Sequence, residues 1–244
     1  MAADGILLIH AFPLDASMWE PQCQAFGSET KVVAVNLPGF GGAASAREVM
    51  TMSAAADVAA AAAREAGLRS ALVVGLSMGG YVALALWRRS PEFVAGFVFA
   101  NTKAEADDEA AKERRRQLAA RLRAEGNGFM VASPPPLLSD APPAGLLDQV
   151  KGIIAKQPAA SIAAAALGMA ERPDSTTNLA SINVPTLVIT SSKDTLIPAD
   201  ATKPLADGIK GARYEVIDGA GHLSNLEAPD AFNALTREHL ARVS

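Results

Sequence analysis

Six short apolar runs, separated by longer helix-like segments, constrain the fold of this chain more than any other feature of its sequence. The runs carry β-branched and aliphatic residues at both odd and even positions, which is typical of strands buried on both faces of a parallel sheet. They are GILLIH (5–10), KVVAVN (31–36), SALVVGL (70–76), VAGFVFAN (94–101), PTLVIT (185–190) and RYEVID (213–218). Helix-like segments lie near 17–27, 53–66, 78–90 and 229–243. This order predicts an α/β fold with an open, mostly parallel sheet covered by helices on both faces.

The alternation of strands and helices stops between about residues 103 and 180. This stretch contains a charged helix-like segment (104–126), the proline-rich segment SPPPLLSDAPP (133–143) and two more helix-like segments (144–157 and 159–171). We therefore predict a core made of residues 1–102 and 181–244, with residues 103–180 inserted as a helical cap. An insertion after a strand lies at the carboxyl edge of the sheet, where open α/β sheets bind ligands.

A run of basic residues, KERRR (112–116), lies in the first segment of this insertion. Clustered cations can bind an anion. However, Glu109, Glu113 and Glu125 alternate with the basic residues, which is typical of a solvated helix face. We expect the solvated face.

Composition and charge exclude several classes of protein. A net charge of −4 and a pI near 5.4 argue against a general nucleic-acid binder. A single cysteine excludes an intramolecular disulfide and a cysteine-cage metal site. The longest alanine-rich stretch (53–67) carries three charged residues, and the N-terminus has no basic region followed by a long apolar one. We expect a cytoplasmic protein without membrane or nucleic-acid partners.

The strongest chemical signal is Ser77, in the stretch VVGLSMGG (73–80). Gly75 and Gly79 flank it in a G-x-S-x-G pattern between a predicted strand and a predicted helix, which is the context of a nucleophile elbow. Small neighbours allow a tight turn that exposes the hydroxyl, and the helix N-terminus points N–H groups at charge developing there. The alternative is an ordinary glycine and serine turn.

A serine nucleophile needs a base, and the chain has three histidines, His10, His222 and His239. His222 follows the strand at 213–218 in the loop GAGHLSNLE, which brings it to the same sheet edge as Ser77. His239 lies in the C-terminal helix, where we expect a surface residue. His222 is therefore the predicted base.

The acid that orients the base should follow another strand. Asp194 lies just beyond the strand at 185–190 and precedes His222, which makes the serine, acid, histidine order expected of this fold. Asp218 is a rival, because it ends the strand that precedes His222. However, Asp218 is too close to His222 in the chain to reach around the imidazole ring easily. Asp200 and Glu227 are weaker candidates.

Two backbone N–H groups are expected to bind the oxyanion. One belongs to Met78, the residue after the nucleophile, and the other to Phe12, in the loop after the first strand, which Pro13 stiffens. Apolar candidates for the substrate pocket are Trp19, Phe129, Met130 and Met169. Each of these four also fits an ordinary place in the core.

Taken together, these segments resemble the α/β-hydrolase superfamily over nearly the whole chain. HAFP (10–13) resembles its oxyanion loop HGFP, and NLPGFG (36–41) resembles its D-x-P-G-x-G turn. GLSMGG, LVITSSKDTLIP and GAGHLSNLEAP resemble its nucleophile, acid and histidine segments. More narrowly, the chain is similar to an esterase and lactonase branch with enol-lactonases, haloperoxidase-like esterases and pimeloyl-carrier methyl esterases.

Three departures from the family pattern stand out. Ala11 replaces a usual glycine, which bears on the oxyanion loop or the acyl pocket. Asn36 replaces a usual aspartate, at a position we interpret as structural. The first strand starts at Gly5, so we expect the family's N-terminal antiparallel hairpin to be absent, leaving six parallel strands and a sheet edge that a partner subunit can cover.

The resemblance implies a serine hydrolase that cleaves carboxylic esters of small to medium size through an acyl-enzyme, without a metal or organic cofactor. Alternatives are a lactonase or thioesterase with the same triad, or a hydrolase-like sensor of small molecules with slow turnover. Haloalkane dehalogenases and epoxide hydrolases need a carboxylate as the nucleophile, so a serine at position 77 argues against both activities. We expect a monomer or homodimer that acts on a small-molecule ester or lactone.

Overall fold

The computed structural model describes residues 2–45 and 48–243, which leaves residues 1, 46, 47 and 244 of the predicted core outside the described part. Its centre is a six-stranded sheet in the order β2-β1-β3-β4-β5-β6, with all neighbouring strands parallel. The strands are β1 (Gly5–Ile9), β2 (Lys31–Val35), β3 (Ala71–Leu76), β4 (Val94–Ala100), β5 (Thr186–Ser191) and β6 (Arg213–Ile217). Each strand agrees within one residue at either end with the apolar run that predicted it. The α/β prediction is confirmed, and among the described residues no strand precedes β1.

Helices connect the strands and cover the sheet. They are α1 (Glu20–Phe26), α2 (Met52–Glu65), α3 (Met78–Arg89), α4 (Glu109–Glu125), α5 (Gly128–Ala132), α6 (Leu146–Lys156), α7 (Ala159–Ala170), α8 (Ala199–Asp207), α9 (Ser224–Glu227) and α10 (Pro229–Leu240). Sequence patterning missed α5, α8 and α9. Two of these are too short to show a helical period, and α8 contains Pro204, a residue that ordinarily argues against a helix interior.

Burial separates the inner strands from the outer ones. Every residue of β1, β3, β4 and β5 is buried, as predicted. The prediction of full burial is wrong for β2 and β6, where several residues are partly exposed and Val216 is 48% exposed. These two strands form the edges of the sheet, so each has a neighbouring strand on one side only.

The helices α4 to α7 lie in the chain between β4 and β5, and α4 packs against α7. Several hydrogen bonds connect this insertion to the rest of the chain, including two that reach the N-terminal half. Met50 N donates to Ala164 O over 3.0 Å, and Gln157 Nε2 donates to Asp15 Oδ2 over 2.7 Å. The division into a core and a separate cap over 103–180 stays a prediction.

A membrane-spanning helix needs about 20 predominantly apolar residues. Among residues 2–45 and 48–243, no single helix is long and apolar enough to cross a membrane. The pair α6 and α7 passes that test only when the two are joined across a bend of 96°. Most residues of α7 are buried within the fold.

Parallel strands bring several loops to one edge of the sheet. The segments that follow β1, β3, β4, β5 and β6 all begin at the carboxyl ends of their strands. They carry Phe12, Ser77, Asn101, Asp194 and His222 in chain order. The fold therefore gathers at this edge the residues that the sequence singled out for chemistry, together with Asn101, which it did not.

Candidate active site

Ser77 lies in the turn between β3 and α3, with φ 55° and ψ −115°, a conformation that residues other than glycine rarely adopt. It occupies the N-cap position of α3, but its side chain makes none of the hydrogen bonds to the helix that a serine usually makes there. Main-chain contacts hold the turn, since Ser77 N donates to Ala100 O over 2.9 Å and Thr102 Oγ1 donates to Ser77 O over 2.8 Å. The turn presents the hydroxyl and does not use it as a cap.

The two glycines around Ser77 are required by close approach of the backbone. A Cβ atom on Gly75 would lie 2.4 Å from Gly79 O, and one on Gly79 would lie 2.1 Å from Ile9 O. Both separations are well below any van der Waals contact. The glycine pattern in the sequence thus reflects the packing of α3 against β1 and β3.

His222 and Asp194 form a buried pair. His222 Nδ1 lies 2.8 Å from Asp194 Oδ2, and the other carboxylate oxygen accepts from the backbone N–H groups of Leu196 (2.9 Å) and Ile197 (3.0 Å). Burial raises the pKa of the Asp194 carboxyl, but the hydrogen bond and charge of His222, with these further donors, outweigh burial and hold the pKa below its ordinary value. Asp194 is therefore a charged acceptor that orients the imidazole.

Asn101 is a member of this site that the sequence interpretation missed. Its Nδ2 donates to Asp194 Oδ2 (2.9 Å) and to Ser191 Oγ (2.7 Å), while its Oδ1 accepts from Ser224 Oγ (2.6 Å). Its φ is 47°, a left-handed conformation that asparagine tolerates better than most residues. The available signal was its place at the end of VAGFVFAN, on the same edge as Ser77.

The rival acids lie in other places. Asp218 Oδ1 accepts from Ser192 Oγ (2.7 Å), and Asp200 lies in the first turn of α8. Glu227 accepts from Gly221 N (2.8 Å) and from residues of the proline-rich segment. Asp194 is the carboxylate that lies against His222.

His10 has a structural place at the start of the loop after β1. Its Nε2 accepts from Leu37 N (3.1 Å), so the ring proton must be on Nδ1, which donates to Ala11 O (3.0 Å). Burial lowers the pKa of His10 to about 4, because the charged imidazolium would lose its hydrating water.

The prediction of a surface position for His239 is wrong, because its ring is buried and its Nε2 lies 3.3 Å from Pro185 O.

The sequence departures Ala11 and Asn36 both have a structural account. Ser77 and Asn101 are the only described residues other than glycine with positive φ, so the backbone at Ala11 accepts a side chain without strain. Ala11 is fully buried, and its N–H donates to Met18 Sδ over 3.2 Å. Asn36 Nδ2 donates to Gly41 O (3.1 Å), and its Oδ1 accepts from Ala16 N (2.8 Å), which agrees with the structural interpretation.

A cavity of about 370 Å³ opens at this edge, and both Ser77 and His222 line it. Phe12, which the sequence suggested as an oxyanion donor, and Met169, which it suggested as a pocket residue, line it too. The other three predicted pocket residues need correction, because packing elsewhere uses their apolar surfaces. Trp19 is fully buried against Phe232 (5.9 Å between ring centres), Met130 is buried, and Phe129 lies under the Arg121 guanidinium (3.8 Å).

The basic run on α4 is exposed or partly exposed, as expected of a solvated face, but part of it also borders the cavity. Lys112 and Arg116 pair with acidic residues of the same helix, as expected of a solvated face. Arg114 and Arg115, in contrast, line the cavity, as does Lys103. A charge pattern along a helix does not reveal that a cavity borders part of that helix.

Within the described residues, no group of three or more histidine, cysteine, aspartate or glutamate side chains is placed to hold a metal ion.

The sequence and the fold of this chain are similar to those of known proteins. A sequence model described as the alpha/beta hydrolase family matches residues 6–235. The solved structure of a thermophilic esterase from Thermogutta terrifontis, with malate bound, is 37% identical to this chain. It superposes with a TM-score of 0.94 over 98% of this chain and 90% of its own.

Two curated relatives are similar over most of their length. A pimeloyl-[acyl-carrier protein] methyl ester esterase from Neisseria meningitidis is 29% identical over 99% of this chain and 95% of its own. A 3-oxoadipate enol-lactonase from Acinetobacter baylyi is 29% identical over 94% of this chain and 86% of its own. These relatives are named for the hydrolysis of esters and of a lactone.

Proposed function

This chain belongs to the alpha/beta hydrolase family, and from that premise we propose that it hydrolyses carboxylic esters with Ser77 as nucleophile, His222 as base and Asp194 as orienting acid. One observation carries the proposal. Ser77, in a disfavoured conformation and with its hydroxyl released from capping, lines the same cavity as His222, whose Nδ1 lies 2.8 Å from Asp194. Similarity to named esterases and to an enol-lactonase supports the ester or lactone class of substrate.

The chemistry follows from the orientation of the imidazole. With Nδ1–H donating to Asp194, Nε2 of His222 takes the proton of Ser77 Oγ as that oxygen attacks the ester carbonyl carbon. The protonated ring then gives its proton to the departing alkoxide, which leaves an acyl-enzyme. His222 next deprotonates a water that attacks the acyl carbon. The bond from that carbon to Ser77 Oγ then breaks, the protonated ring returns its proton to Oγ, and the acid leaves. These steps need neither a metal nor an organic cofactor.

Backbone N–H groups of Phe12 and Met78 bind the oxyanion in this proposal. Met78 is the first residue of α3, so its N–H has no acceptor within the helix and lies at the positive end of the helix dipole. Phe12 lines the cavity in a loop that His10 holds to Leu37. One such donor is worth about 3 kcal/mol of barrier.

Replacement of the nucleophile tests the assignment. The variant Ser77→Ala should lose at least ~1,000-fold in kcat for p-nitrophenyl acetate, because no oxygen remains to form the acyl-enzyme. Ser53→Ala, a serine of α2, is the matched control and should keep wild-type turnover. A fluorophosphonate probe should label wild type at Ser77 in peptide mass spectrometry. Undiminished hydrolysis by Ser77→Ala would remove Ser77 from the mechanism.

Lactone or thioester hydrolysis is the second candidate, since the same triad attacks either carbonyl. The similarity to an enol-lactonase favours a lactone. A cavity of about 370 Å³ favours small to medium substrates in either case. A chain-length series of p-nitrophenyl esters, measured beside lactone and thioester panels, ranks the three. A single slow turnover with a large rise in thermal stability would instead identify a small-molecule sensor.

The wider setting of the protein is part of the proposal. We place it in the cytoplasm as a monomer or homodimer, without nucleic-acid or membrane partners, on the grounds of its acidic pI of 5.4 and its composition. The partly exposed edge strands β2 and β6 are the surfaces open to a second copy. Light scattering after size-exclusion chromatography distinguishes the two states.

A further inference from the structure

One face of α4 borders the cavity that contains Ser77. Ala111, Arg114, Arg115 and Leu118 all line it, and their spacing of three, one and three residues places them on one side of a helix. This part of the cavity wall is therefore regular helical structure. Two of the four side chains on this wall are guanidinium groups.

The charges around the cavity do not cancel. Its lining includes the cations Lys103, Arg114 and Arg115 and a single carboxylate next to them, Asp107. Asp107 pairs with Arg115 and, over 2.8 Å, with the buried Arg172. Among residues 2–45 and 48–243, neither Lys103 nor Arg114 has an ion-pair partner. Two positive charges thus face the cavity uncompensated.

The position of Lys103 connects these charges to the catalytic edge. Lys103 follows Asn101 by two residues, at the carboxyl end of β4, and it is half-buried. It lies outside the helix that carries Arg114, so the two cations approach the cavity from the segment that follows β4 and from α4. A partly enclosed site strengthens the attraction of such cations for an anion. An arginine fork adds paired hydrogen bonds to a carboxylate.

We propose that the cavity selects esters that carry a carboxylate, and that Arg114 and Lys103 bind this carboxylate while Ser77 attacks the ester carbonyl. This inference rests on the proposed function, and it narrows the substrate class from neutral esters to half-esters of dicarboxylic acids or esters of equivalent charge. Arg115 holds a different role. Its ion pair with Asp107 holds the first turns of α4, the helix that carries Arg114, in place.

Two substrates of equal length test the proposal. Mono-4-nitrophenyl adipate and 4-nitrophenyl hexanoate share a leaving group and a six-carbon acyl chain, and they differ by a terminal carboxylate in place of a methyl group. The measured quantity is the ratio of their kcat/KM values, anionic over neutral. We expect a ratio of about ten or more in wild type, which corresponds to ~1.4 kcal/mol. A wild-type ratio of one or less would overturn the inference.

Variants on the same helix locate the effect. Arg114→Gln and Lys103→Gln should each lower the ratio about tenfold, and Arg114→Lys should restore part of it. Arg116→Gln is the matched control, because Arg116 pairs with Glu113 on α4 and does not line the cavity. Thermal unfolding of each variant checks its folding. An equal fall of the ratio in Arg116→Gln and Arg114→Gln would assign the preference to general charge and overturn the proposal.

A binding measurement separates this inference from the proposed function. Adipate itself has no ester, so calorimetry of adipate with wild type and with Ser77→Ala reports on the cations alone. Both proteins should bind adipate, about tenfold more weakly after Arg114→Gln, and more weakly at high salt. Binding without turnover of any ester would retain the anion site and reject the proposed function. Ester turnover without adipate binding would reject the anion site and retain the proposed function.

Discussion

Asn101 donates its side-chain amide over 2.9 Å to Asp194 Oδ2, the same carboxylate oxygen that lies 2.8 Å from His222 Nδ1. The amide oxygen of Asn101 meanwhile accepts from Ser224, two residues beyond His222. One side chain at the end of β4 therefore connects the loop that carries the acid to the loop that carries the base. We expect Asn101 to position the pair.

Replacement of Asn101 should weaken catalysis more than substrate binding. Asn101→Gly keeps the left-handed backbone at φ 47° and removes the amide, so kcat should fall about 10- to 100-fold with little change in KM. Asn101→Ala adds backbone strain to the same loss, and its unfolding free energy should be lower than that of Asn101→Gly by about 1 kcal/mol. Steady-state kinetics and urea unfolding measure both. Wild-type kcat in Asn101→Gly would show that the amide does not position Asp194.

The turn at Ser77 should not tolerate a methyl group. In Gly79→Ala the new Cβ would lie 2.1 Å from Ile9 O, so α3 must move away from β1, at a cost of about 3 kcal/mol or more. Gly128→Ala, in α5, is the control, because a Cβ there meets nothing within 4 Å. Urea unfolding compares the two variants. Equal stability of Gly79→Ala and wild type would mean that the turn is looser than its geometry indicates.

His10 should make the protein less stable in acid. Its folded pKa of about 4 lies below the ordinary 6.5, so below pH 6.5 the unfolded chain takes up a proton that the folded chain refuses. The contribution of neutral His10 to the free energy of unfolding is fully present above pH 6.5 and is lost as the pH falls toward 4. The total loss is on the order of 3 kcal/mol. Urea unfolding of wild type and His10→Gln from pH 7 to pH 4 isolates it. Parallel pH dependences of the two proteins would contradict the neutral, buried assignment.

Glu227 should couple the proline-rich segment to the histidine loop. Its carboxylate accepts from Gly221 N (2.8 Å), Ser139 N (3.1 Å) and Ser139 Oγ (2.5 Å). Glu227→Gln turns one acceptor into a donor that faces other donors, so we expect a loss of about 1–2 kcal/mol of stability and a roughly five- to tenfold lower kcat/KM. Glu171→Gln, at the exposed end of α7, is the control. Unchanged kinetics in Glu227→Gln would show that His222 is held without this contact.

The sequence by itself determined the features that depend on local backbone physics. β-Branched runs predicted all six strands within one residue, because buried parallel strands need apolar side chains on both faces. The G-x-S-x-G pattern predicted the turn at Ser77, because a Cβ atom on Gly75 or Gly79 would clash with nearby backbone atoms. Strand ends then placed Asp194 and His222 at the correct edge of the sheet.

Only the tertiary structure decided what each outward side chain meets. Asn101 bonds Ser224 across 123 positions of the chain, and no local pattern records such a contact. Trp19 lies against Phe232 and not in the cavity, whereas the exposed Arg114 borders the cavity. A helical or strand period reports which residues share a face. The surface that this face meets is set by packing between distant segments, and that packing assigned the charges of the cavity and the support of the catalytic pair.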